Sequence, residues 1–135
     1  MNAFIIELRN RPGELAKVTE TLAEKGINIT AFAGSACGDG GSVCFLTNDE
    51  AATRRALQAA HVKVHERELV SATIANEPGG LAEACRRLAN EGINVEALLP
   101  TGMSGANVNV AFATDNPATA RSALGTAVLT GLSTR

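Results

Sequence analysis

Two short loops of similar sequence carry the residues best suited to bind a small ligand. Asn10-Arg11-Pro12-Gly13 and Asn76-Glu77-Pro78-Gly79 each follow an apolar, strand-like run and precede a helical pattern. The first turn of a helix presents backbone N–H groups without helical partners and a partial positive charge, which suit a carboxylate. Gly13 and Gly79 leave the backbone open to a ligand. An Asn side chain both donates and accepts hydrogen bonds, so each loop suits an amino-acid zwitterion.

The same residues also fit a purely structural role. Asn before X-Pro is a common turn residue, so Asn10 and Asn76 suit the turn alone. Asn28 and Asn94, each just beyond a predicted helix, could equally serve the helix exit. The residue types alone leave both interpretations open.

The two loops belong to an internal repeat. Between residues 12 and 29, nine of eighteen positions are identical to those 66 residues later, where chance would give one or two. Phe45-Leu46-Thr47 aligns with Phe112-Ala113-Thr114 at a separation of 67, so we expect one extra residue in the intervening turn. The repeat predicts two domains, residues 1–67 and 68–135. The identical residues of the first copy are Pro12, Gly13, Leu15, Ala16, Leu22, Ala23, Gly26, Ile27 and Asn28.

Each copy is predicted to have the order β-α-β-β-α-β. Apolar residues alternate in the predicted strands and recur with a 3.6-residue period in the predicted helices. Pro12 is expected at the first helical position, and Leu15, Val18 and Leu22 on one helix face. This order predicts an α+β fold of two ferredoxin-like units with antiparallel sheets. The predicted strands are 3–9, 27–32, 42–46 and 61–65, then 69–75, 93–99, 107–113 and 127–130; the predicted helices are 12–24, 50–60, 78–91 and 117–125.

The apolar content bears on how the copies are arranged. Each copy of about 66 residues contains only sixteen Leu, Ile, Val and Phe, and so small a unit is marginally stable alone. We therefore expect the copies to pack as a pseudo-symmetric tandem pair, and two chains to form a homodimer.

Composition argues against several classes of function. A net charge of −2 and only 3% aromatic residues argue against nucleic-acid binding. No apolar run reaches membrane-spanning length, and three Cys predict neither a disulfide framework nor a metal site, which indicates a cytoplasmic protein. His61 and His65 on a strand would lie about 13 Å apart, too far for one ion. No catalytic or phosphate-binding motif is present, so neither an enzyme nor a cofactor is expected.

Several other residues that could do chemistry have simpler interpretations. Cys44 and Cys85 are expected to be small buried side chains. The pairs Arg54-Arg55 and Arg86-Arg87 are expected on solvated helix faces, with an oligomer contact as the alternative. Gly38-Asp39-Gly40-Gly41 is expected to be a hairpin turn rather than a phosphate cradle, because no helix follows it.

The pattern Asn-X-Pro-Gly-X-Leu-Ala, a helix, then Gly-Ile-Asn-(Ile/Val) resembles the ACT domain family. These are small β-α-β-β-α-β modules that regulate amino-acid metabolism by binding amino acids. The resemblance covers both copies and is strongest over residues 4–33 and 70–99.

The resemblance implies where a ligand would bind. In the ACT domains of phosphoglycerate dehydrogenases, the loop Asn of one domain and the Asn opening the second strand of its neighbour contact the ligand. The corresponding pairs here are Asn10 with Asn94 and Asn76 with Asn28. The candidate ligand-binding residues are thus Asn10, Arg11, Pro12, Gly13, Asn28, Asn76, Glu77, Pro78, Gly79, Gly80 and Asn94.

The sequence differs from those dehydrogenases at one wall of the expected site, and the two copies also differ from each other there. Leu8 and Ile74 stand where those dehydrogenases have a His, which indicates a more apolar wall or an unused site. Arg11 is replaced by Glu77 in the second copy. Glu14 is replaced by Gly80, which is expected to open more room there.

Two functional hypotheses follow. The first is a non-catalytic regulatory module that binds a small amino acid between two ACT-like domains and modulates amino-acid metabolism. The alternative is a regulatory subunit that assembles with a biosynthetic enzyme without binding an amino acid itself.

Overall fold

The computed structural model describes residues 1–131, which divide into two compact units. The first unit contains residues 2–67, and the second contains the chain from residue 68 onward together with Met1. Each unit combines helices with an antiparallel sheet, so the chain has the α+β class that its periodicity predicts.

The first unit follows the predicted order of elements. Strand β3 lies between β2 and β1 and is antiparallel to both, with Phe45 opposite Phe4 and Phe32. Its elements are β1 (Asn2–Arg9), α1 (Glu14–Glu24), β2 (Ile29–Cys37), β3 (Gly40–Thr47), α2 (Glu50–Ala59) and the start of β4 (Val64–Ala75).

The second unit repeats this order from the later part of β4. Strand β6 lies between β4 and β5 and is antiparallel to both, with Phe112 opposite Val70 and Leu98. The further elements are α3 (Gly80–Asn90), β5 (Val95–Ser104), β6 (Asn107–Thr114) and α4 (Pro117–Leu124).

Each unit has its own apolar core between its helices and one sheet face. The core of the first unit includes the stacked rings of Phe4 and Phe45, whose centroids are 5.9 Å apart. In the second unit Val70 occupies the position of Phe4. The two cores are Phe4, Ile6, Val18, Leu22, Ile27, Val43, Phe45, Ala56 and Leu57, and Val70, Ala72, Ile74, Ala84, Leu88, Ile93, Val110, Phe112, Ala120, Leu124 and Leu129.

The prediction that helix α1 begins at Pro12 is wrong. The helix begins at Glu14, and Gly13 is its N-cap with φ of 89°. Helix α3 likewise begins at Gly80, after Gly79 with φ of 97°. A left-handed residue cannot continue into a helix, so the glycine rather than the proline sets the start of each helix.

The fourth strand of each copy also differs from its prediction. Of the predicted strand 61–65 only residues 64–65 are extended, and they form one strand, β4, with the predicted strand 69–75; His61 ends the α2 turn with φ of 57°. Residues 127–130 form no regular strand. Only Leu129 forms a β-bridge, to Ile74, and this bridge is parallel. The prediction missed this direction because an alternating apolar pattern does not specify whether a strand is parallel or antiparallel to its neighbour.

The extra residue of the second copy does not enter the hairpin turn. Both turns have two residues, Gly38-Asp39 and Gly105-Ala106. Instead, β5 contains a register shift between Pro100 and Gly102 that β2 lacks. The insertion is therefore a β-bulge, to which proline and glycine are suited within a strand.

Three expectations about individual side chains are corrected, and one is confirmed. Cys44 is buried as expected, whereas Cys85 is exposed on the outer face of α3. Leu15 lies in the first turn of α1 and is 51% exposed, although Val18 and Leu22 on the same helix are buried. Arg54 is not simply solvated, because it makes a two-point hydrogen bond to a carboxylate on β4.

Candidate functional site

The first loop, Asn10–Gly13, is held against the β2–β3 turn. The Asn10 N–H donates to Asp39 O at 2.8 Å, and its side-chain Nδ2 donates to Gly38 O at 3.0 Å. Asn10 therefore has the structural role of a turn residue and lies at the exposed surface. An Asn side-chain carbonyl can in addition accept a hydrogen bond from a ligand.

The second loop, Asn76–Gly79, repeats this backbone geometry. The Asn76 N–H donates to Ala106 O at 3.3 Å, the equivalent contact to the turn of the second hairpin. The N–H groups of Arg11 and Glu77 each donate back to the carbonyl two residues earlier, at 2.9 Å. The repeat in sequence is thus a repeat in backbone conformation.

Glycine is required in the first loop by its backbone angle. A Cβ on Gly13 would meet no atom within 4 Å, but φ of 89° disfavours any residue with a side chain. The space next to the first turn of α1 is therefore open, as approach of a ligand to the backbone requires.

Asn28 and Asn94 serve the helix exits. The Asn28 N–H donates to Asn48 Oδ1 at 3.0 Å, and the Asn48 N–H donates to Asn28 O at 3.1 Å. Asn94 makes the same reciprocal pair with Asp115, at 3.0 and 3.3 Å. These contacts use backbone atoms of Asn28 and Asn94, whose side chains lie at the exposed surface.

Within one unit, the loop Asn and the helix-exit Asn lie at opposite ends of the sheet. Arg9, beside Asn10, pairs with Gly40 at one end of β3, whereas Ile29, beside Asn28, pairs with Thr47 at the other. A single unit therefore does not bring its own two candidate Asn residues together, and the pairs of Asn10 with Asn94 and Asn76 with Asn28 stay predictions.

A cleft opens beside the first loop, with a volume of about 460 Å³. Its polar side is formed by Asn10 and Arg11, and its apolar wall includes Leu8 and Phe32. Such a mixture of a few polar groups on an apolar lining is typical of small-molecule sites. Phe32 was not among the predicted ligand-binding residues. Its position in an alternating, half-buried strand could have indicated that its ring faces the cleft.

The room expected beside Gly80 is not there. A Cβ on Gly80 would lie 2.4 Å from Ala75 O, so the backbone of the strand fills that space. Gly80 is buried, whereas the equivalent Glu14 is only half-buried. The glycine permits a tighter loop in the second unit rather than a larger cavity.

Titratable groups form one marked electrostatic cluster in the first unit, away from the loops. Glu66 accepts from Arg54 Nε and Nη2 at 2.8 and 2.7 Å and from Asn2 Nδ2 at 2.6 Å. The hydrogen bonds from Arg54 first, and then Asn2, lower the pKa of Glu66 to about 2. Burial raises the pKa of the Cys44 thiol, so this cysteine remains protonated.

Metal-ligating and membrane-spanning features concern the part of the chain that the structure describes. Within residues 1–131, no group of three His, Cys, Asp or Glu side chains lies close enough to coordinate one. No helix in that range is long and apolar enough to cross a membrane.

Comparison with known proteins identifies the family of the first unit. The ACT domain family matches residues 3–63. No curated protein matches the chain.

Among solved structures, the chain is similar to protein BT0572 from Bacteroides thetaiotaomicron, with 28% identity and a TM-score of 0.75; the match covers 91% of this chain and 85% of that one. It also shares its fold with the regulatory subunits of aspartate kinase from Thermus thermophilus and Thermus flavus. Their identities are 20% and 21% and their TM-scores 0.63 and 0.65, and each match covers 91% of this chain and 88% of the subunit.

The loop, the helix that follows it and the β-α-β-β-α order all fall within the matched range. Residues 3–63 of this chain are therefore an ACT domain.

Proposed function

We propose that this chain is a non-catalytic regulatory module that binds a small amino acid at the interface of two ACT-like domains. The observation that carries the proposal is the cleft beside the first loop, where Asn10 and the start of α1 face an apolar wall. The N–H groups of the helix start suit a carboxylate, and the side-chain carbonyl of Asn10 suits an ammonium group.

The ligand completes its contacts through the edge of a neighbouring ACT-like domain. Phe32 is 70% exposed on β2, an edge strand of the first unit, and Leu15 lies beside it across an apolar groove. Leu81 and Leu98, the equivalent residues of the second unit, are also exposed. Exposed apolar side chains at a sheet edge favour association, and we propose a second copy of this chain as the partner.

Thermal unfolding in the presence of each L-amino acid tests the binding proposal. A ligand at ten times its Kd adds about 1.4 kcal/mol of stability, which raises the Tm by several degrees. Replacing Asn10 with Ala should abolish that increase, whereas Ser122→Ala, at an exposed position of α4 outside the cleft, should preserve it. If no amino acid at millimolar concentration raises the Tm, the chain does not bind one.

Sedimentation equilibrium tests the partner. Phe32→Asp should convert the dimer to monomer without unfolding the chain, because this ring is exposed. Val128→Asp is the matched control, since Val128 is also an exposed apolar residue but lies outside the groove. A wild-type chain that is monomeric at micromolar concentration would contradict the proposed dimer.

A second candidate function is assembly with a biosynthetic enzyme, without an amino-acid ligand. It is supported by the fold shared with the aspartate kinase regulatory subunits and by the same exposed apolar residues. Co-purification of an enzyme that is indifferent to added amino acids, together with an unchanged Tm, would favour it over the first proposal.

A further inference from the structure

We infer that the segment of residues 126–131 covers the Gly79 end of the second loop, where helix α3 begins, so that amino-acid binding is confined to the first loop. The inference rests on the proposed function for its ligand, but the closure itself is a property of the second unit alone. Four observations support it.

Leu129 fixes the segment against the strand that leads into the second loop. Its side chain is 1% exposed and belongs to the core of the second unit. Its N–H donates to Thr73 O, and its carbonyl accepts from the Ala75 N–H, both at 2.9 Å. The segment therefore runs toward the loop, directly beside Ala75.

Gly131 then lies on the loop itself. This residue is buried, and a Cβ built on it would be 3.5 Å from Gly79 C and 3.6 Å from both Gly79 Cα and Pro78 O. Gly79 is thus half-buried beside Gly131, whereas Gly13 is exposed and a Cβ on it would meet no atom within 4 Å; residues 76–78 of the second loop stay exposed. With φ of 140°, Gly131 also has a conformation that residues with side chains rarely adopt.

Glu83 joins the segment to helix α3. Its Oε1 accepts from the Gly131 N–H at 2.9 Å, in a buried hydrogen bond. Its Oε2 accepts from Arg87 Nε and Nη2 at 3.0 and 2.6 Å, and Arg87 Nη1 reaches Ala123 O at 3.5 Å. A carboxylate that is only 6% exposed needs such partners, so the segment is part of how this charge is stabilised.

The first unit lacks this closure. Lys17 stands where Glu83 stands, and its side chain is 75% exposed with only a 3.9 Å contact to Glu14. The groove beside it, lined by Leu8, Glu14 and Lys17 among others, is open with a volume of about 350 Å³. Here the chain leaves α2 through His61 and enters β4 at Val64, and Val62 and Lys63 line the groove without filling it.

Amide hydrogen exchange of the full chain without ligand tests the closure. The amides of Gly79 and Gly80 should exchange about tenfold or more slowly than those of Gly13 and Glu14, because the covered end of the loop opens less often. Gly131→Val should raise exchange at Gly79 and Gly80 and leave Gly13 and Glu14 unchanged. Equal exchange of the two loops in the wild type, or no response to Gly131→Val, would overturn the closure.

A second variant guards against a general loss of stability. Glu83→Gln keeps the shape of the side chain but removes its charge, and it should also raise exchange at Gly79 and Gly80. Its matched control is Lys17→Gln at the equivalent position of α1, which should leave both loops unchanged. If the Lys17 variant has the same effect, the contact through Glu83 is not what covers the second loop.

Confinement of the ligand is tested by titrating ¹⁵N-labelled chain with each L-amino acid at millimolar concentration. Resonances of Gly13 and Glu14 should shift with a saturable dependence, while those of Gly79 and Gly80 should not. Shifts at Gly79 with the same concentration dependence would overturn the inference. If no amino acid shifts either loop, the proposed function fails, whereas the exchange experiment still decides whether the second loop is closed.

Discussion

The two loops of this chain share a backbone conformation but differ in their surroundings. At the first loop, Lys17 is exposed to solvent and lines an open groove together with the half-buried Glu14. At the second, Gly80 approaches Ala75, and Glu83 is buried against Gly131. Two copies of one motif can therefore diverge in accessibility while their strands, helices and glycine N-caps stay the same, and the motif alone does not establish a binding site.

The largest expected effect compares the two cores. Phe45→Ala and Phe112→Ala remove buried rings from equivalent strands, and each should cost about 3–5 kcal/mol of unfolding free energy. Phe45→Ala should cost about 0.5–1.5 kcal/mol more, because it also loses the stacking on Phe4. Urea denaturation of both variants measures the difference, and equal losses would show that the ring pair adds nothing to burial.

The next comparison concerns the residues behind the loops. Glu83→Ala leaves the Gly131 N–H and Arg87 without this carboxylate and should cost about 2–3 kcal/mol. Lys17→Ala, at the equivalent exposed position, should change stability by about 0.5 kcal/mol or less. Thermal unfolding of both variants tests this contrast, which fails if the two changes are of similar size.

A smaller effect is expected at the start of the helices. Gly80→Ala places a Cβ against Ala75 O and should destabilise the chain by about 1–3 kcal/mol. Glu14→Ala, at the matching position of the first unit, should be nearly neutral because a side chain is already accommodated there. A neutral Gly80→Ala in chemical denaturation would mean that the second loop relaxes as easily as the first.

The smallest effect concerns the ion pairs that connect the second helix of each unit to β4. Because the pKa of Glu66 is lowered from 4.5 to about 2 in the folded state, its contribution to stability is complete above pH 4.5 and is lost as the pH falls toward 2. Arg54→Met should therefore flatten the dependence of stability on pH within that window.

Arg121→Met is the matched control for that experiment. Arg121 lies 3.6 Å from Glu68, and both side chains are more than half exposed, so its removal should leave the dependence unchanged. Acid titrations of the unfolding free energy for the two variants provide the measurement. An acid limb that stays steep in Arg54→Met would show that the contacts of Glu66 do not produce it.

Much of the fold could be predicted because the repeat provides each element twice. Apolar alternation located the strands, and helical periodicity located α1 and α3. The course of residues 127–130 could not be predicted, since the apolar residue Leu129 fits a parallel or an antiparallel neighbour equally well. The start of α1 was misplaced because proline is favoured at a first helical position, but the left-handed Gly13 follows it.

The sequence predicted the position of the two candidate loops but not what surrounds them. In the structure, Gly80 leaves space for the backbone of Ala75, which comes close to it. The sequence could not show this, because a glycine that makes room for a ligand cannot be distinguished in a sequence from one that makes room for a neighbouring strand. Glu83 and Arg87 are visible as an i, i+4 pair, but their link to Gly131 spans 48 residues. Long-range burial of this kind depends on tertiary packing, which periodicity does not report.

The bulge in β5 has a practical consequence for exchanging parts between the copies. Because the insertion lies between Pro100 and Gly102, both hairpins keep a two-residue turn and both turns keep the hydrogen bond to their loop. A chimaera that swaps only the turns would thus preserve the loops. A different chimaera would join one β-ribbon to the other at a point upstream of residue 101, without a matching exchange in the other copy. It would shift the register by one residue and turn every later side chain to the opposite face of the sheet.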